Sequence, residues 1–383
     1  MKRRTFIKKA AAITATAGLL PSMGCTVSSN SVSTKLLSGK WSDNYQDAMV
    51  IDALAGPIQF NIPQSTFPLS ASNLEQVKKS GITALNLTVN SSRARGNPFE
   101  GAVSRIATWE HELDAHPDVF TRIRNINDIK LAKQNGQLGI IYGFQDTTPF
   151  GNELDRVSTF HGLGVRIVQL TYNIQNLVGS GCLVAEDTGL TDFGHEVVER
   201  LDALGMLVDL SHCGQRTTLE GIRSSGRPVS ITHSGCNSIF KHPRNKDDAT
   251  LRELANSGGV VGIYHMPYLN QSGIPDISHV VAHIEYALNL IGEEHVGIGS
   301  DQGIVPLDTG GNFMTAFEEV SASRTAAGIA APREDLPPYI PELNHPQRML
   351  TIAEYLSNRG HSARIIENIL GGNFYRLFKD VWV

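Results

Sequence analysis

Eight short apolar runs, separated by longer amphipathic stretches, narrow most sharply what this chain can fold into. They are Met49–Ile51, Ile82–Leu87, Leu138–Phe144, Val165–Leu170, Met206–Leu210, Pro228–Ile231, Val260–Tyr264 and Val296–Ile298. A continuous apolar run bounded by polar residues suits a parallel strand buried on both faces, whereas a strand with one wet face alternates. Between the runs, segments such as Asn152–Leu163, Asp192–Leu204, Thr217–Ser225, Thr250–Asn256 and Ser278–Ile291 carry the period of a helix. Gly164, Gly205 and Gly226 each end such a segment just before the next run. Eight alternating units predict an α/β fold, a (β/α)8 barrel of TIM type. The alternative is a doubly wound open sheet. That fold would carry a Gly-rich phosphate loop after its first strand, and Ala53–Pro57 is not one. A chain of 383 residues, 41% of them hydrophobic, is long enough for one such barrel and its core.

Nearly every run stops at a polar residue: Asp52, Thr88, Gln145, Tyr172 with Asn173, His212, His233, His265 and Asp301. In a barrel the carboxyl ends of the strands converge on one face, so residues scattered in sequence meet in one mouth. Polar strand ends also occur simply because they meet solvent, and Thr88 is read that way. Imidazoles at the ends of neighbouring strands can bind one divalent ion, and neutral imidazole suits zinc. Asp301 can add a charged ligand or accept a proton. A zinc-bound water has its pKa lowered toward ~7, so hydroxide is available at neutral pH.

From Gly164 onward the motifs become specific in combination. They are Gly164-Val165-Arg166, Leu170-Thr171-Tyr172-Asn173, Gly189–Gly194, Asp209–His212, Thr232-His233-Ser234, His242–Asn245, Gly297–Asp301 and Gly371–Phe374. This set resembles the membrane (renal) dipeptidase family. The resemblance implies a zinc-dependent barrel that hydrolyses dipeptides with little side-chain selectivity. It places His212 and His233 as metal ligands and Asp301 as a metal ligand that also moves a proton. It places Arg244 on the substrate carboxylate, a task that suits a guanidinium fork, with Tyr172 and Asn173 as further substrate contacts.

The departures from that family are as specific. Its His-x-Asp pair at the end of strand one is replaced by Leu54 and Gly56, and its bridging glutamate by Gln145. A neutral amide cannot offset two nearby dications as a carboxylate does. The expectation is a metallohydrolase with one zinc rather than two, held by His212 and His233, with Gln145, Asp301 or His265 as further ligands. Its substrate would be a dipeptide or a related small amide. Two other readings stand beside it. One is a dipeptidase-like barrel with changed chemistry in a periplasmic pathway, such as siderophore or modified-peptide maturation. The other is a non-catalytic binding protein without metal. Asp52 and Asp146 are read either as carboxylates that reach into the site or, equally, as structural strand-end residues, and Cys213 as core.

Residues 1–25 read as an export signal rather than as fold. Arg3-Arg4 followed by Phe6-Ile7-Lys8 and an apolar stretch over Ala10–Leu20 resembles a twin-arginine signal. Cys25 either is the lipidated first residue of a periplasmic lipoprotein or belongs to an ordinary signal cut near Ala15–Ala17. Residues 26–44, rich in Ser, Thr and Asn, read as a tether, and 45–383 as the barrel with a C-terminal helical extension. Three further cysteines, Cys182, Cys213 and Cys236, show no disulfide spacing. A net charge of -5, with no basic run after residue 10, excludes nucleic acid as a partner class. Membrane contact is expected only through Cys25, and a homodimer is compatible with the sequence. Replacing Arg3 and Arg4 together by Lys should leave the precursor inside the cell, as fractionation with immunoblotting would report. Normal export of that variant would contradict the twin-arginine reading.

Overall fold

A computed structural model describes residues 41–59, 67–90 and 96–382. The signal segment, Cys25 and residues 26–40 of the expected tether lie outside the described residues. Eight strands each fall on or at the end of one of the apolar runs. They are β1 (Ile51–Asp52), β2 (Ala84–Thr88), β3 (Leu138–Phe144), β4 (Val165–Gln169), β5 (Leu207–Asp209), β6 (Ser230–Ser234), β7 (Val260–Ile263) and β8 (Val296–Ile298). Each pairs in parallel with the next, from β1 through β8. The ends of the sheet meet where Ala53 N donates to Ile298 O at 3.0 Å. The result is a nearly closed eight-stranded barrel. Three short strands were not expected: Phe120–Arg122 beside β3, and Ala55–Gly56 paired with Gln302–Gly303. Strands of two or three residues carry no readable period.

Helices between the strands begin where the sequence offers a cap. Thr191 accepts from Gly194 N ahead of Asp192–Ala203, Asp247 from Thr250 N ahead of Asp248–Asn256, and Asp276 from Ser278 N ahead of Ile277–Ile291. Each such side chain satisfies an N–H that the helix cannot. The main apolar cluster lies between strands and helices. A second cluster joins Ile51, Ala84, Leu207 and Val260, the first residues of their strands, to Phe374, Leu377 and Phe378 of the last helix, Asn373–Val381. That helix therefore plugs the barrel at the amino ends of its strands and leaves the carboxyl ends for the site. Two residues further along, strand alternation turns the polar side chains of Asn86, Gln169 and Asp209 the same way. Apolar floor gives way to polar layer.

One boundary moves. Residues 41–44 were assigned to the tether, but Trp41 is 3% exposed and a helix spans Ser42–Asp47. Tyr45 of that helix donates its hydroxyl to Ser80 O at 2.8 Å. The aromatic pair, not the polar composition, decides where the domain starts. Among the described residues no helix is long and apolar enough to cross a membrane.

The seam between β8 and β1 is held by a buried carboxylate. Asp52 accepts from Ser300 N at 2.8 Å, Ser300 Oγ at 2.6 Å and Arg348 Nη2 at 3.0 Å. Both side chains of the ion pair are at most 1% exposed. Removing one member leaves the other charge buried without its counterion. Arg348→Met should therefore cost roughly 3–5 kcal/mol of unfolding free energy in urea titration. A loss below about 1 kcal/mol would remove the seam from the list of stabilising contacts.

Candidate metal and substrate site

A cavity of about 660 Å³ opens at the carboxyl ends of the strands. Gln145, Tyr172, Asn173, His212, Arg244 and Asp301 all line it. His233 lies one layer deeper, fully buried, and touches the cavity through His212. The two imidazoles present Nε2 atoms 2.9 Å apart. Asp301, at the end of β8, holds a left-handed backbone with φ of 56°, a conformation that Asp tolerates better than most residues. Its N–H donates to Leu54 O at 2.8 Å, which joins the last strand's loop to the first.

The hydrogen bonds around the histidines assign their tautomers. His212 Nδ1 lies 2.6 Å from Asn173 Oδ1, so that nitrogen carries the proton. Its Nε2 is then a lone pair, and Arg244 Nη2 donates to it at 2.8 Å. On the other ring, Thr232 donates its hydroxyl to Asp209 Oδ2 at 2.7 Å. The same hydroxyl oxygen, 2.8 Å from His233 Nδ1, therefore accepts the proton on that nitrogen. Both Nε2 lone pairs thus point at one place. Two lone pairs at that separation repel unless a positive group lies beside them. Here the guanidinium fills that role, and Arg244 Nη1 is anchored on Ser211 O at 3.0 Å. Burial first, and the Arg244 charge second, push both imidazoles well below the usual histidine range. Neutral imidazole with its second nitrogen hydrogen-bonded is the form that ligates metal.

The packing explains why the rings sit so. Tyr172 stacks on His212 with centroids 4.2 Å apart. Cys182 N donates to His212 O at 2.8 Å from behind. A side chain at Gly299 would fall on the carbonyl oxygen of Thr232, the residue before His233, so the chain after β8 can approach β6 only with glycine there.

Several residues stand elsewhere than the sequence suggested. Asn173 was expected on the substrate, but its amide is engaged by protein at both ends: Oδ1 by His212 and Nδ2 by Ile329 O at 3.0 Å. It orients the ring. His265 does not line the cavity; it is fully buried near Arg348, and among the described residues neither ring nitrogen has a partner. Alternation along β7 turns it away from the barrel axis. Gln145 lines the cavity, while its backbone N donates to Asn90 Oδ1 at 2.8 Å. Asp146 accepts from Asn90 Nδ2 at 2.9 Å and Thr148 N at 3.0 Å, a structural role. Cys213 is buried, 3.3 Å from Thr171 Oγ1. Arg324, which sequence reasoning missed, lines the cavity with its guanidinium 5.6 Å from the Tyr172 ring centroid. It lies in a helix after β8, far from any motif.

The donor set around the cavity is small. Among the described residues no group of three or more His, Cys, Asp or Glu side chains converges as a metal site. Leu54 lines the cavity as hydrocarbon, and Gly56 offers no side chain at all. What remains is the pair of imidazole nitrogens, capped in this structure by the Arg244 guanidinium.

The sequence model of the membrane dipeptidase family, peptidase family M19, matches residues 45–326. The structure is similar to a crystal structure of an amidohydrolase from Pseudomonas aeruginosa, with 32% identity and a TM-score of 0.76. That match covers 89% of this chain and 98% of the other. An uncharacterised Klebsiella pneumoniae protein from the pqqA 5′ region is 27% identical over 299 residues, 75% of this chain and 98% of its own length. A dipeptidase of Clonostachys rogersoniana is 28% identical over 221 residues, and the match spans 57% of its length.

Buried imidazoles make the fold acid-sensitive. His242 and His283 are pushed down to about 4, chiefly by burial, against ~6.5 in an unfolded chain. Below that value the unfolded chain binds protons that the folded one refuses. Stability is therefore full above pH ~6.5 and falls as the pH drops toward 4. At pH 5 the loss is about 2 kcal/mol for each of these rings. Urea midpoints at pH 7.5 and pH 5 measure it, and equal midpoints would contradict it.

Proposed function

Since this chain belongs to the membrane dipeptidase family, we propose that it hydrolyses a dipeptide or a related small amide with a free carboxylate, using one divalent ion held by His212 and His233. We place that activity outside the cytoplasm, after twin-arginine export. The observation that carries the reading is the meeting of two neutral Nε2 lone pairs 2.9 Å apart, against a fully buried guanidinium. When bound there, a zinc ion supplies Lewis acidity toward the amide carbonyl and toward water.

The protein's own residues then have distinct tasks. Arg244, still anchored on Ser211 O, gives up its hydrogen bond to His212 Nε2 so that this lone pair serves the ion, and its freed N–H groups receive the substrate carboxylate as a fork. Asn173 and Thr232 hold the imidazoles in the ligating tautomer. Asp301, across the cavity, takes a proton from the attacking water at its carboxylate oxygen and returns it to the leaving nitrogen as the C–N bond breaks. Tyr172 keeps the His212 ring in plane and closes that side of the pocket to solvent.

The absence of a three-ligand cluster among the described residues favours a second reading, in which the same pocket serves a different reaction in periplasmic peptide or siderophore maturation. Metal content by mass spectrometry after dialysis, run beside a dipeptide panel, separates these. The expected result is one tightly bound ion per chain, with slow dipeptide turnover. His233→Ala should remove both the ion and the activity. One ion without turnover of any dipeptide favours the second reading. Two ions with vigorous turnover would contradict the one-ion site, and neither ion nor turnover would leave a binding protein.

A further inference from the structure

A third guanidinium lines the same cavity as Arg244 and Arg324, and among the described residues no carboxylate neutralises it. Arg105 lies on the helix Pro98–Ala115, one turn before Trp109, and both residues line the cavity. Arg105 is half-buried, yet among the described residues it has no hydrogen bond or ion pair. Burial alone acts on it, lowering its proton affinity with no acidic group nearby to restore it. Nor do residues 1–40, 60–66 and 91–95 contain any Asp or Glu that might pair with it. A desolvated charge without a counterion is costly, and in a cleft it marks a place where a ligand brings the opposite charge.

Its position relative to Arg244 fixes what that ligand would be. The helix bearing Arg105 follows β2, and Arg244 lies in the loop after β6. In an eight-stranded barrel, strands four apart stand on opposite sides of the mouth. The two guanidiniums therefore bracket one cavity of about 660 Å³, with the histidine pair on the Arg244 side. Building on the small-amide reading above, we propose that Arg105 is a specificity-determining residue that binds a second anionic group of the substrate. The class selected is a dipeptide, or dipeptide-like amide, whose N-terminal residue carries a carboxylate side chain. The C-terminal carboxylate lies on Arg244, the amide lies between, and the acidic side chain reaches across to Arg105. Leu87 and Trp109 beside Arg105 exclude water from that end and strengthen the pairing.

Non-hydrolysable ketomethylene isosteres of Glu-Ala and Gln-Ala test this by calorimetry on the full-length protein. They differ only in the charge of the first side chain. The wild type should bind the Glu isostere roughly tenfold more tightly than the Gln isostere, as a charge-assisted bond predicts. Arg105→Gln should erase that preference by weakening the Glu isostere alone, and Arg105→Lys should restore part of it. Arg244→Gln should weaken both isosteres equally. If wild type and Arg105→Gln bind the two isosteres alike, the Arg105 inference fails while the small-amide reading stands. If the wild type binds neither, both fail together.

Discussion

The site depends on one buried carboxylate that replaces missing strand pairing. Strands β5 and β6 share a single register pair, Asp209 with Ser230. Beyond it, Asp209 does the joining. Its Oδ1 accepts from Ser211 N at 3.1 Å, Ser211 Oγ at 2.6 Å and Thr232 N at 2.9 Å, and its Oδ2 from Thr232 Oγ1 at 2.7 Å. Ser211 Oγ in turn accepts from His233 N at 3.1 Å. Four donors suit an ionised carboxylate even where burial opposes it. The residues it grips immediately precede His212 and His233. The strand ends can therefore splay to make a pocket while the two rings stay in register. Asp52 plays the same part at the β8–β1 seam, with Arg348 as counterion.

Much of this architecture is legible in the sequence because it rests on patterns that repeat. Eight buried strands must be apolar along their length, and a barrel must bring their carboxyl ends together. His212 and His233 were visible because each ends such a run. Arg348 was invisible because its partner Asp52 is 296 residues away and no local pattern links a helix to a strand end at that range. Arg105 and Arg324 were missed for a related reason. A surface-helix arginine and a pocket arginine look alike until the helix face is known. Asn173 was placed on the cavity, but its bond to the His212 ring was not foreseen. Its motif locates the backbone, whereas the task of its amide follows from which groups happen to lie within hydrogen-bond reach. His265 shows the converse error, since a strand end says nothing about side until the register is fixed.

The one-ion proposal has a coherent physical basis. Two divalent ions close together repel strongly and need bridging anions to stay. On the proposed one-ion reading, Leu54, Gly56 and Gln145 leave out the bridge and two ligands together, and the cavity there is partly hydrocarbon. What survives is a pair of neutral imidazoles backed by Asn173 and by the Thr232–Asp209 relay. One ion with open coordination positions is chemically sufficient to activate water and polarise a carbonyl.

Diffraction from crystals grown with zinc, with anomalous differences collected at the zinc edge, addresses this most directly. One strong peak bonded to His212 Nε2 and His233 Nε2, with Arg244 swung off His212, is the result this account predicts. Two peaks about 3.5–4 Å apart, the spacing of a two-metal cluster, would contradict it, as would a protein with no peak at the histidine pair.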